Sequence, residues 1–183
     1  MPPPGVHAVP SGHNSAFPMS ATGTPTIRAG TDDDDAVCGH IIAAATMASL
    51  LPQRLPHALE KWRDSSPLPR DGRTRLVAEL AGSAQGFADY SPGRGHLRYL
   101  FVAPDAQGHG LGSALLDRVQ AELQASMTVH CLAVNDISLR WYIRHGFAIV
   151  DGFLEELEGE DAVWIRLRRD PRVNREPVSR ACN

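Results

Sequence analysis

Lysine is nearly absent from this chain: among its 18 lysine and arginine residues only Lys61 is lysine. The positive charges are guanidinium groups almost throughout, a bias of the kind a GC-rich genome produces. Cysteine is scarce too. Cys38, Cys131 and Cys182 are odd in number and far apart, and no Cys-x-x-Cys pair occurs. That argues against a disulfide framework and a zinc ribbon and leaves reduced thiols. Long apolar runs are missing: the longest, 41–51, is interrupted by Thr46 and Ser49, and a membrane-spanning helix needs about 20 apolar residues. The first residues carry neither a basic n-region nor an apolar h-region, so no secretory signal is read there. Excess positive charge is missing as well. The formal net charge is −3, which provides no field to hold nucleic acid non-specifically. These absences lead to the expectation of a cytoplasmic protein that engages neither membrane nor nucleic acid.

What is present is ordinary globular material. The 183 residues are 43% hydrophobic and 21% charged, enough for one domain with a real core. Residues 1–26 hold six prolines, three glycines and no charged side chain. Such a stretch cannot offset its ordering entropy, so it is expected to be a disordered leader. Residues 170–183 read as a polar C-terminal tail, which places the folded domain at 27–169.

Within that domain, residues 26–29 read as a short strand. Thr31 followed by Asp32, Asp33, Asp34 and Asp35 reads as a helix start, a capping hydroxyl and then acids against the positive end of the dipole. That reading outweighs a metal-binding role for the aspartates. Val37, Ile41, Ala44, Ala45 and Ala48 fall on one helical face. A second helix is expected over 55–62 and a proline-broken loop over 65–72. Three strand-like runs follow, 74–80, 85–90 and 96–102, joined by short turns as in an antiparallel meander. From Gly110 the period becomes helical, with Leu111, Leu115, Val119 and Leu123 one turn apart. A strand over 127–134 and a helix over 137–145, ended by Gly146, come next. Runs at 147–156 and 162–167 close the domain as a hairpin around an acidic turn. The mixture predicts an α/β or α+β domain with a single mixed sheet.

The chemistry concentrates in residues 97–116, where a strand runs into a turn holding Gly108, Gly110 and Gly112, and the turn opens a helix. Glycines let a ligand approach the backbone closely. First-turn N–H groups have no internal partner, and with the helix dipole they suit a phosphate or pyrophosphate. No lysine stands where a P-loop needs one. The turn also follows a meander late in the chain, which does not fit a Rossmann fingerprint.

The segment resembles motif A of the GNAT superfamily of N-acetyltransferases. That pattern, a Gln or Arg, two residues, Gly, one residue, then Gly or Ala, is met by Gln107, Gly110 and Gly112, after the usual lead-in Val102-Ala103-Pro104-Asp105. Residues 134–147 are similar to motif B, with Asn135 seven residues before Tyr142 and Gly146-Phe147 beginning four residues after it. The resemblance implies a GNAT-like single domain: a mixed central sheet of about six to seven strands with helices on both faces. It implies acetyl-CoA as co-substrate, no metal, and an amine acceptor that is a small molecule or a peptide. It also implies roles by position. Backbone groups of Leu100, Phe101 and Val102 would pair with the pantetheine arm. N–H groups of Gln107, Gly108, His109, Gly110, Leu111, Gly112 and Ser113 would hold the pyrophosphate. Asn135 would hold the cofactor arm, and Tyr142 would protonate the departing thiolate.

One position departs from the pattern. The family's usual acid, four residues ahead of Val102, is Arg98 here, and an arginine cannot accept a proton. His96, Glu79, Asp89 and His130 are the other candidates for a base. Strand alternation would put His96 on the same face as Arg98 and Leu100, and an imidazole has a suitable pKa, so His96 is the residue assigned, with Asp89, a water molecule and desolvation of the amine as the alternatives. Substrate choice is expected to lie in 52–72 and 152–161. Monomer and homodimer both stay open. The alternative to an enzyme is a non-catalytic acyl-CoA-binding module of the same fold, favoured only by the missing acid.

Overall fold

The computed structural model describes residues 24–49, 51–55, 66–157 and 159–171. Most of the expected leader, most of the expected helix 55–62 and most of the tail lie outside the described residues. The elements run β1 (Thr26–Ala29), α1 (Asp35–Met47), α2 (Leu51–Arg54), β2 (Thr74–Leu80), β3 (Ser83–Ser91) and β4 (His96–Val102). They continue with α3 (Leu111–Leu123), β5 (Met127–Leu132), α4 (Asp136–Arg144), β6 (Ala148–Leu157) and β7 (Glu160–Arg169). Seven strands form one sheet in the order β1-β2-β3-β4-β5-β7-β6. All neighbours are antiparallel except β4 and β5, which α3 connects in parallel. The expected mixed sheet, with helices on both faces, is what forms.

α3 packs on one face. Leu111, Leu115, Leu116 and Val119 meet Leu76, Ala88, Leu97, Met127 and Val129, as the one-turn spacing predicts. α1 covers the other face, where Cys38, Ile41 and Ile42 meet Val77 and Phe87. Its buried stripe differs from the expected one: Ala44 and Ala48 are exposed, while Cys38, Ile42 and Thr46 are buried. An alanine adds little apolar area, so the isoleucine pair and Cys38 set the rotation of the helix. Among the described residues no helix is long and apolar enough to cross a membrane.

The aspartate run opens α1 through a single 3-10 turn. The Asp34 carboxylate accepts the Thr31 N–H at 2.8 Å and pairs with Arg28 at 2.7 Å, and the Arg28 guanidinium holds its pKa down at about 2. Asp32 pairs with Arg70 and Asp35 with Arg75. Arg75 lies fully inside, cross-strand from Asp89, with two contacts of 2.7 Å to its carboxylate. Removing one partner of such a pair strands the other charge in low dielectric. Asp89→Ala is therefore expected to cost about 3–5 kcal/mol, read as a lower midpoint in urea unfolding with unchanged slope.

β4 carries the irregularity that shapes the site. Asp89 pairs with Tyr99 but Tyr90 pairs with Leu97, so Arg98 is an extra residue in a bulge. A bulge breaks the period of two. Leu97 and Leu100 both face α3, and Tyr99 and Phe101 face α1. The expected grouping of His96 with Leu100 is thereby corrected: His96 stands on the α1 face with Tyr99 and Phe101.

Candidate active site

β4 and β5 pair only at His96↔Thr128 and Leu97↔Val129, after which the two strands separate. The gap opens on a 680 Å³ cleft lined by β4, β5, α4, α1 and the β6–β7 hairpin. Backbone direction in the gap follows from one bond. The Ala103 N–H donates to Gln85 of β3 at 2.8 Å, so by alternation the Phe101 backbone also faces β3 while Leu100 and Val102 face the gap. The Val102 carbonyl accepts from the Gln107 side chain at 3.2 Å, which leaves its N–H directed at the gap.

The glycine turn stands at the C-terminal end of β4. Gly108 and Gly110 both have φ of +82°, a conformation that disfavours any side chain, and a Cβ at either would meet nothing within 4 Å. Backbone here is laid open to whatever binds above it. Gly110 is the N-cap of α3, so the N–H groups of Leu111, Gly112 and Ser113 form its unsatisfied first turn. Leu111 is buried, with its side chain packed into the core. The His109 ring turns back on the Gln107 carbonyl at 3.1 Å.

α4 supplies two more candidates. Asn135 is its N-cap, and the side-chain oxygen accepts the Ser138 N–H at 3.2 Å. That bond fixes the amide and leaves Nδ2 as a donor at the cleft. Tyr142 is the one buried residue of α4 and lines the same cleft. Burial, with a smaller contribution from Cys131, raises its phenol above the ordinary range, so it stays protonated at neutral pH. Cys131 is itself pushed up to about 12 by burial, an inert thiol.

The opposite wall is basic and aromatic. The rings of His96 and His130 lie 4.7 Å apart, with Phe153 5.0 Å beyond His130. Burial first, then His130, Arg98, Arg94 and Arg166, lowers His96 to about 4, so its ring is neutral at pH 7. The Thr128 hydroxyl donates to the Gly95 carbonyl at 3.2 Å, and His96 Nδ1 lies 3.1 Å from the Thr128 hydroxyl oxygen. This network assigns the proton to Nδ1 and the lone pair to Nε2. Arg98 stacks on Tyr99 at 5.4 Å. Glu155 and Glu156 of β6 and the Trp164 indole also line the cleft, and Trp164 Nε1 is buried with no acceptor among the described residues. Of the other candidate bases, Asp89 is committed to Arg75 and Glu79 to Arg28 at 2.6 Å. Thr128 and Trp164 escaped the sequence reading; neither carries a motif signal, and only the sheet brings them to the cleft.

A family model for the acetyltransferase (GNAT) domain matches residues 71–149. The peptidyl-lysine N-acetyltransferase YiaC of Escherichia coli (strain K12) is 35% identical over 108 residues, covering 57% of this chain and 72% of that protein. A GCN5-related N-acetyltransferase from Rhodopseudomonas palustris shares the fold with a TM-score of 0.70 at 22% identity, covering 87% of this chain and 99% of the other. The yncA structure from Salmonella typhimurium, which holds its cofactor acetyl-CoA, aligns with a TM-score of 0.58 at 21% identity over 87% of this chain and 99% of its own. With the matched domain, the conserved fold and the 35% identical relative in agreement, the chain belongs to the GNAT family and is an N-acetyltransferase.

Proposed function

We propose that this enzyme moves the acetyl group of acetyl-CoA to a primary amine of a peptide or small molecule, by direct attack in a ternary complex. The observation that carries the reading is a convergence in space: β4 parts from β5 beyond Leu97, beside the bare glycine turn, and Tyr142 lines the cleft so formed. Acetyl-CoA supplies the activated acetyl thioester. Leu100 and Val102 pair with its pantetheine arm as an added strand would, and Phe101 gives its ring to the wall. The Gln107 N–H is spent on the Pro104 carbonyl at 3.2 Å, which corrects the expected set by one residue, and the N–H groups from Gly108 to Ser113 hold the diphosphate. Asn135 donates through Nδ2 to the arm. The Val102 N–H stabilises the charge that develops on the carbonyl oxygen, and Tyr142 returns a proton to the departing sulfur.

An amine with a pKa of about 10.4 must lose a proton, at a cost of about 4.6 kcal/mol at pH 7. Glu155 and Glu156 draw an ammonium toward the cleft, and Arg98 draws a carboxylate. Acceptors bearing both groups are expected to outperform plain polyamines. The test is a CoA-release assay over peptide lysines, peptide N-termini and small amines with and without a carboxylate. Absence of release on every acceptor, from protein that binds acetyl-CoA, would overturn the reading.

His96 is assigned the proton leaving the amine, through Nε2. Its pKa is lowered to about 4, which corrects the near-neutral value expected from the sequence: the ring stays in the accepting form but is a weaker base, and its limb belongs near pH 4. His96→Ala is expected to reduce kcat/KM by about 10²-fold across pH 6–9 with the profile otherwise parallel. An unreduced variant would remove His96 from the mechanism.

A further inference from the structure

Ser113 sits in the first turn of α3 with its hydroxyl oxygen 2.9 Å from His145 Nε2. The other ring nitrogen, Nδ1, lies 2.8 Å from the Trp141 carbonyl oxygen. A carbonyl only accepts, so Nδ1 carries a proton. Neutral His145 then has a bare lone pair at Nε2, and the Ser113 hydroxyl donates to it. The ring is held in place: it stacks on Trp141 with centroids 3.9 Å apart, and that indole lies 3.4 Å from where a Cβ on Gly112 would stand. The serine in the turn is thereby locked with its proton facing away from any ligand while His145 is neutral, and only oxygen lone pairs remain for an anion.

We infer that His145 is a positioning residue for the diphosphate of a CoA thioester, acting through Ser113 and taking up a proton when that ligand binds. The inference rests on the reading of the glycine turn as the diphosphate site. When Nε2 gains a proton from solvent, it becomes the donor to the Ser113 oxygen. The serine proton is then released to point at a phosphate oxygen. One charge-assisted hydrogen bond is gained, and the proton returns to solvent when the ligand leaves. The charged groups near His145 are these. Arg169 of β7 donates to its carbonyl oxygen at 3.2 Å, Asp117 of α3 lies 3.5 Å from Arg169, and Arg144 precedes it in α4. The diphosphate is the anion that a charged donor at this position would serve.

The sign follows from linkage. The bound state favours protonated His145, so affinity is higher at acid pH and falls as pH rises, by at most about tenfold per pH unit for one proton. The probe is 3′-dephospho-CoA, because a phosphomonoester itself titrates near a pKa of about 6. Calorimetry on the full chain at several pH values, and in buffers of different ionisation enthalpy, reads both affinity and proton uptake. In the wild type the dissociation constant is expected to rise about 3- to 10-fold from pH 6 to pH 8, with net proton uptake. Ser113→Ala should flatten that dependence. His145→Gln places an amide donor opposite Ser113 at every pH, so it should bind independently of pH with the wild-type affinity of pH 6. A purely structural role would weaken both variants alike and keep the slope. Binding whose slope survives in Ser113→Ala overturns this inference and leaves the cofactor reading standing. No binding at any pH by folded protein overturns both.

Discussion

Tyr142→Phe is expected to lower kcat about 10²-fold, the low end for a lost general acid, while CoA affinity stays unchanged. The ring packs edge-on against Trp141 at 5.1 Å and Phe147 at 5.3 Å. Phenylalanine preserves both contacts and fills the same volume, so the substitution removes a proton and little else. Burial holds the phenol protonated, and it also makes the phenol a weaker acid. That is no obstacle, because a thiolate leaving into the same buried corner is destabilised by the same lack of water and needs the proton more. Steady-state CoA release on a good acceptor, together with CoA binding by calorimetry, checks the split. Equal turnover in the variant would mean that water protonates the thiolate and that Tyr142 is there to pack.

Much of this was legible in the chain because it is local. The turn from Gln107 to Ser113 announces itself through glycines two apart, and α3 through leucines one turn apart, since both depend only on neighbouring residues. The single mixed sheet followed from alternating runs and turn residues, and the family resemblance implied about six to seven strands where seven form. What the sequence hid depends on distant segments. The face of α1 turns on which side chains meet Phe87 and Val77, and a run of small residues leaves that choice to the partners. The bulge at Arg98 is invisible to a period-two reading, because an extra residue shows only against the strand opposite. His145 reads in sequence as the residue before a C-cap glycine. Its bond to Ser113 spans 32 positions and exists only once α4 lies beside the head of α3. Asp89 was one of several candidate bases until the register set it against Arg75. Charged residues are the hardest to assign from sequence, since their roles depend on a partner that the chain brings from elsewhere.

Gly110→Val is expected to weaken CoA binding by about 10²-fold or more, because several backbone hydrogen bonds to a charged ligand at about 1.5–3 kcal/mol each depend on that backbone. Two effects combine. At φ of +82° a β-branched side chain is strained, so the turn shifts to relieve it. A side chain that remained there would fill the open space above the turn, where nothing of the protein comes within 4 Å. Gly110→Ala separates the two effects: it carries the strain, at about 1–2 kcal/mol, with one methyl group of bulk, and should fall between wild type and valine. His109→Ala is the complementary variant, since it keeps the N–H and removes only a ring turned back on Gln107. Its dissociation constant should stay within about twofold, less than the change from losing one ordinary hydrogen bond. If folded Gly110→Val protein bound CoA with wild-type affinity, the diphosphate would have to lie elsewhere, and the head of α3 would be a turn shaped for packing alone.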